Sequence, residues 1–192
     1  MRGSNLYALL VAVVAVCGAT LLGVLLAFLF VAKPTVETPP DHRVVAVGGL
    51  QYEAMLGRPV DPGQRLDAPM VAGLPAGDRR TRPGQMLFGA FIAVTNDSPR
   101  SLPAARRIEL RDDAGHVYRP LRLSTSNPYA YVARPVPPKT RIPGVGTPAD
   151  DNLAATGKLL LFRIPAEDYA DGVLELVIHD ARNPQQRADL VV

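Results

Sequence analysis

The sequence has almost no sulfur with which to cross-link or ligate: 192 residues contain one cysteine, Cys17, and no tryptophan. Cys17 lies inside an apolar run, so everything after it must hold together by core packing, without a disulfide. Thiolate metal clusters are excluded there for the same reason. Histidine is scarce as well, with His42, His116 and His179 the only three. They fall in a linker, after a turn and at a strand end, and no pair has helical or hairpin ligand spacing. A zinc or copper site needs three or four converging donors, which this spacing does not supply, so each histidine reads as a surface residue. Met55, Met70 and Met86 form no His-Met cluster of the kind that suits Cu(I), and Met86 reads as core filling. No metal and no cofactor is expected.

An excess of charge is lacking too. The chain carries 21 basic and 18 acidic side chains, without the clustered basic stripe that neutralises phosphates, which argues against nucleic acid as a partner. There is no G-x-S-x-G elbow, and Ser98, Ser101, Ser124 and Ser126 sit in turn-like segments with no histidine nearby. The adjacent pairs Asp112-Asp113 and Asp150-Asp151 would point to opposite faces of a strand, so they read as turn formers rather than acid and base. Gly144 and Gly146 lie among prolines with no helix following, unlike a phosphate-cradling loop. These absences together predict a protein that is not an enzyme.

What is present begins with one long hydrophobic run. Gly3 to Ala32 has no charged residue and Leu6 to Ala32 is almost wholly apolar, more than the ~20 residues that cross a bilayer core. A transmembrane helix is predicted over residues 6–32, after a short tail at 1–5. The run is longer than a signal-peptide core of ~7 to 15 residues, and Phe30 and Ala32 around Val31 make no small-x-small cleavage site, so it reads as an uncleaved anchor. Val16 before Cys17, and the apolar residues after it, argue against lipidation. Arg2 biases the tail to the cytoplasm and the bulk to the extracytoplasmic side of the cell membrane, against a Lys33 soon followed by Glu37 and Asp41. Ala15, Ala19, Gly23 and Ala27 recur every four residues, a small-residue face that another transmembrane helix could approach closely; the plainer reading is that Ala and Gly abound in such helices.

Residues 33–42, KPTVETPPDH, read as a stiff proline-rich linker, and residues 43–192 as one domain with no internal repeat. Short runs rich in β-branched and aromatic residues, bounded by Gly, Pro, Asn and Asp, predict strands. In MLFGAFIAVT (86–95), Met86, Phe88, Ala90, Ile92 and Val94 share one face and Leu87, Phe91 and Ala93 the other; both faces are apolar, so the strand should be central and covered. Asn96 to Pro99 breaks it with turn chemistry. Arg107 to Arg111 alternates as a half-exposed strand, and Asp113-Ala114-Gly115 predicts a hairpin turn returning through Val117 and Tyr118. Lys158 to Ile164, Val173 to Ile178 and an edge at Leu190 to Val192 complete the set, with at most one helical turn at Glu167 to Ala170. Seven or more short strands, and no helix long enough to cover a parallel sheet, predict a mainly β, immunoglobulin-like antiparallel sandwich.

Three segments carry a resemblance: FGAFIAVTNDSP, IELRDDAGHVYRP with its Asp-x-x-Gly turn, and GKLLLFRIPAEDYADGVLELVI. Together they resemble the telokin-like, immunoglobulin-fold domain family of unknown function found in bacterial lipoproteins and membrane-anchored surface proteins. The resemblance spans roughly Gln85 to Asp180 and implies a fold, with no active site. The chain departs from the family in a long insertion from Leu121 to Asn152.

The stretch from Arg119 to Asp150 holds the candidate binding residues. Arg119, Arg122, Arg134, Lys139 and Arg141 occur before any acid, with Tyr129 and Tyr131 between them, and Tyr and Arg are enriched where partners anchor. A loop this long without structure of its own binds something, stays solvated and poorly ordered, or lies over the domain to cover an edge strand. The sequence therefore predicts a non-enzymatic, membrane-anchored extracytoplasmic interaction domain, an accessory subunit of a membrane or envelope protein complex. The alternatives are a carrier of a metal or small ligand, and a binder of anionic cell-wall polymer.

Overall fold

The computed structural model describes residues 43–152 and 155–192. The tail, the predicted transmembrane helix at 6–32 with Ala15, Ala19, Gly23 and Ala27, and the linker lie outside the described residues. The chain divides into two units, Met1–Thr35 and Val36–Val192, and the architecture here is that of the second. Among the described residues no helix is long and apolar enough to cross a membrane.

The described unit is mainly β, and its sheets are antiparallel. β1 (Val44–Val47) and β2 (Leu50–Pro59) form a hairpin in which Val47 pairs with Leu50. The two residues between them, Gly48 and Gly49, have φ of +61° and +82°. Positive φ at both central positions is what a type I′ turn requires, and glycine adopts it without a Cβ clash. β3 (Gln85–Asn96) is the central strand predicted from MLFGAFIAVT. It pairs along one edge with β2; its other edge is shared by β9 (Lys158–Pro165) over Gln85–Ile92 and by β8 (Thr140–Ile142) over Val94–Asn96. A second sheet runs in the order β11, β10, β5, β6, with β5 Ile108–Arg111, β6 Val117–Tyr118, β10 Glu175–His179 and β11 Arg187–Val191. β4 (Leu102–Pro103) and β7 (Pro135–Val136) make a third, two-stranded pair. Two short helices, α1 (Ala76–Arg79) and α2 (Ala166–Asp171), join the strands; α2 is a little longer than the single turn expected there.

The period-two pattern explains the packing. Phe88, Ala90, Ile92 and Val94 face one core with Tyr52, Phe162 and Ile164, and the second sheet contributes Leu110, Leu176, Ile178 and Leu190 to the same cluster. Leu87 and Phe91 face the opposite way, into a second core with Leu159 and Leu161, roofed by Val60, Met70, Val71 and Leu74. The central strand is therefore covered on both sides, as its two apolar faces require. Gly89 permits this closeness, since a Cβ there would lie 2.7 Å from Val60 Cγ2 and 2.9 Å from Leu159 Cδ1.

Of the readings the sequence leaves open for Leu121 to Asn152, the structure shows the stretch laid over the domain along β9, where Leu121 N–H donates to Leu161 O and Tyr131 N–H to Leu159 O. It contains β7 and β8, and Ala130 bridges Leu159 beside β9. Strands of two and three residues flanked by prolines show no measurable period, which is why they went unread. Leu121, Leu123 and Tyr129 pack against the second core, and the buried Asn127 ties the stretch down by donating from Nδ2 to Met70 O at 2.7 Å and Ala72 O at 3.0 Å.

Asn96 does comparable work at the end of β3. Its Nδ2 donates to Arg100 O (2.7 Å), Val136 O (2.9 Å) and Pro137 O (3.0 Å), and its Oδ1 accepts from Ser98 N–H and Ser98 Oγ. It is fully buried, so Asn96→Ala would strand main-chain carbonyls away from water. The expected loss is about 2–3 kcal/mol in urea unfolding; a change within ~0.5 kcal/mol would mean that water replaces the amide.

Candidate functional site

The hairpin register builds the most distinctive surface feature. Leu110 pairs with Tyr118 and Arg111 with Val117; continued outward, the same register brings the residues before β5 beside those after β6. Arg106 and Arg122 line one recess there, and Arg106, Arg107 and Arg119 a neighbouring one. Beyond β6 the chain crosses to the first sheet, where Leu121 N–H donates to Leu161 O at 2.7 Å. The crossing leaves a cleft of about 290 Å³ with Arg106 and Arg122 at its sides and Ile108, Tyr131 and Leu159 to Leu161 among its lining residues. A contiguous recess of about 440 Å³ adds Arg107, Glu109 and Arg119.

Only one carboxylate lies among these residues. Glu109 is buried; it accepts from Arg107 Nη2 at 3.0 Å and lies 3.5 Å from His179 Nε2 and 3.9 Å from Arg119 Nε. Burial pushes its carboxyl up, but the hydrogen bond from Arg107 and the charges of Arg107 and His179 hold it below the ordinary glutamate range. Glu109 thus stays ionised and engages Arg107. Arg106 and Arg122 have no carboxylate partner among the described residues, are exposed, and face the cleft as free guanidinium groups. Such groups bind carboxylate or phosphate through paired N–H donors.

The other loop residues named from sequence scatter. Tyr131 is half-buried against the main core, and its hydroxyl donates to Ala105 O at 2.8 Å. Burial raises its phenol pKa, and neighbouring Tyr52 adds to this. Tyr129 packs into the second core. Arg134 lines a separate, smaller recess beside Lys158, while Lys139 Nζ donates to Asp97 O. Arg141 lies on β8 near Glu53 Oε2 (3.5 Å) and Met55 Sδ (3.4 Å). Arg122 and Tyr131 line the cleft and Arg119 the neighbouring recess; the remaining four do not join them. Arg106 and Arg107 were not read as site residues, because their place in these recesses depends on the β5–β6 register.

No family model, curated protein or solved structure matches this chain.

A second cluster, also unread in the sequence, lies at the turn end of the same hairpin. Asp112 and His116 face each other across the turn closed by Gly115, which has φ of +88°; His116 N–H donates to Asp112 Oδ1 at 2.7 Å and His116 Nδ1 lies 2.8 Å from Asp112 Oδ2. Asp168 of α2 approaches from more than fifty residues away, and Tyr118 Oη–H donates to Asp168 Oδ2 while lying 3.2 Å from Asp112 Oδ2. Burial, then the Asp168 hydrogen bond and charge, push the Tyr118 phenol well above its ordinary value, so it remains a neutral donor. Asp112 does form the turn, as expected, but it also turns its second oxygen inward. The i, i+4 spacing of Asp112 and His116 was a visible signal; the third member was not.

Proposed function

We propose that the chain is a non-enzymatic, membrane-anchored extracytoplasmic interaction domain, acting as an accessory subunit whose arginine-rimmed cleft receives an acidic segment of a partner protein. The observation that carries this reading is the pairing of Arg106 and Arg122 on one cleft, beside a recess lined by Arg106, Arg107 and Arg119, with Glu109 as the one carboxylate among them. Anchoring rests on the apolar run at 6–32, long enough to span a bilayer. The two sheets with a shared core fit an immunoglobulin-like sandwich of the telokin-like kind, a scaffold that hosts unrelated binding functions. An anionic wall polymer would use the same arginines. A cleft of about 290 Å³ with two unpaired guanidinium groups suits an acidic side chain of a protein segment better than a polymer of repeating anions, which would need a longer run of such groups.

The test is purification of the full-length chain from its native membrane in mild detergent, beside an Arg106→Ser/Arg122→Ser variant. A partner retained by the native chain and reduced at least tenfold in the variant, with retention falling as salt rises, is the expected result. A solitary native chain, equal retention by the variant, or recovery of polymer without protein would overturn the proposal.

A further inference from the structure

We propose that Asp112, His116 and Asp168 form a binding site for a divalent transition-metal ion of the zinc type, which clamps the β5–β6 hairpin to α2. The three donor atoms come from a turn and a helix of different sheets' connections, yet all lie within 4.8 Å of one another. A tetrahedral ion with bonds of ~2.0–2.1 Å holds its ligands ~3.3 Å apart. The 2.8 Å separation of His116 Nδ1 and Asp112 Oδ2 would open by about half an ångström, and the wider separations, all within 4.8 Å, would close by at most about 1.5 Å, a change that side-chain rotation of the exposed His116 and half-buried Asp168 supplies.

Each donor is aimed by something else. Asp112 is buried, and its Oδ1 is engaged by the His116 N–H, so Oδ2 is the oxygen that points into the cluster. The His116 side chain is 68% exposed, which leaves the outward side of the cluster open to water, as in zinc sites with three protein ligands. Tyr118 is a positioning residue. Its hydroxyl has one proton but lies against two carboxylate oxygens, so one of those contacts has no hydrogen in it. In the metal-free protein His116 Nδ1 holds a proton against Asp112 Oδ2; zinc takes the place of that proton, which leaves to solvent, and its two charges are met by the two carboxylates. One nitrogen and two oxygens suit zinc. Calcium takes six to eight oxygens, and Cu(I) prefers sulfur.

This site is separate from the arginine cleft and stands or falls without it. The experiment uses the untagged full-length chain in mild detergent, stripped with a chelator and titrated near neutral pH with zinc chloride, reading heat of binding and the thermal unfolding midpoint. One ion per chain at micromolar or tighter Kd, and a midpoint several degrees higher, is expected. Asp168→Asn and His116→Ala should each weaken binding at least tenfold and abolish the midpoint rise, while His42→Ala changes neither. His116 is exposed and Asp168 half-buried, so both variants should unfold near the native midpoint without zinc; should one fail to fold, the other decides. No heat and no shift at about 1 mM zinc, or affinity unaltered in both variants, would sink the proposal and leave the cluster a hydrogen-bonded clamp.

Discussion

Truncating Phe162 to alanine is expected to lower the unfolding free energy by about 4 kcal/mol, among the largest effects available in this fold. Phe162 is fully buried at the centre of β9, opposite Phe88 in the β3 ladder and in the main core shared by both sheets. Its removal costs the transfer free energy of a ring and leaves a cavity that flanking strands, pinned by their ladders, cannot close. For a domain of roughly 150 residues, this shift corresponds to about 8–16 °C in the unfolding midpoint. Leu66 supplies the comparison: it is 69% exposed in the turn segment after β2, and Leu66→Ala should fall within about 0.5 kcal/mol. Parallel thermal and urea unfolding of the two variants gives the answer, and similar losses in both would mean that the strand faces are assigned wrongly.

The second large effect concerns Arg58. Arg58 on β2 donates to Asp67 from Nη1 at 3.1 Å and Nη2 at 2.6 Å, and the Asp67 side chain is 3% exposed. Asp61 N–H donates to the same carboxylate at 2.9 Å, and the guanidinium lies 5.5 Å from the centre of the Phe91 ring. This arrangement holds the 61–74 segment over the second core. Arg58→Met keeps most of the volume but leaves a buried, uncompensated carboxylate, an expected loss of about 3–5 kcal/mol near neutral pH. Arg58→Met combined with Asp67→Leu should recover much of it.

The pH dependence separates this mechanism from lost packing. Burial alone pushes the Asp67 carboxyl up, but the hydrogen bonds from Arg58 and Asp61 and the charge of Arg58 hold it below the ordinary value. A lowered folded pKa contributes stability that is fully present above the unfolded value of ~3.9 and lost as pH falls through the folded one. Without Arg58, burial dominates and the carboxyl rises, so its penalty is relieved in acid. The gap between native and Arg58→Met proteins should therefore narrow as pH drops toward ~4; a gap constant from neutral pH to acid would assign the loss to packing.

Much of the strand plan was legible locally. The apolar alternation of Met86 to Val94 identifies β3 and both of its buried faces, and Gly115 marks the turn between β5 and β6. The Lys158 to Ile164 run identifies β9. β7 and β8 were not legible, because two or three residues among prolines become strands only when β4 and β3 present edges to pair with. The candidate loop was half legible: Arg119 and Arg122 stand out by composition, but Tyr129 and Tyr131 are largely spent on packing and on the Ala105 carbonyl.

By itself the sequence determined the antiparallel β class, the turn positions and a domain held without disulfides, since these follow from side-chain period, turn chemistry and composition within a few residues. The tertiary structure alone decided what covers the second face of β3, how Arg106 and Arg122 come to line one cleft and how Asp168 reaches Asp112 and His116. These depend on pairing register and on contacts between segments tens of residues apart, where burial of apolar surface, rather than local propensity, chooses the neighbours.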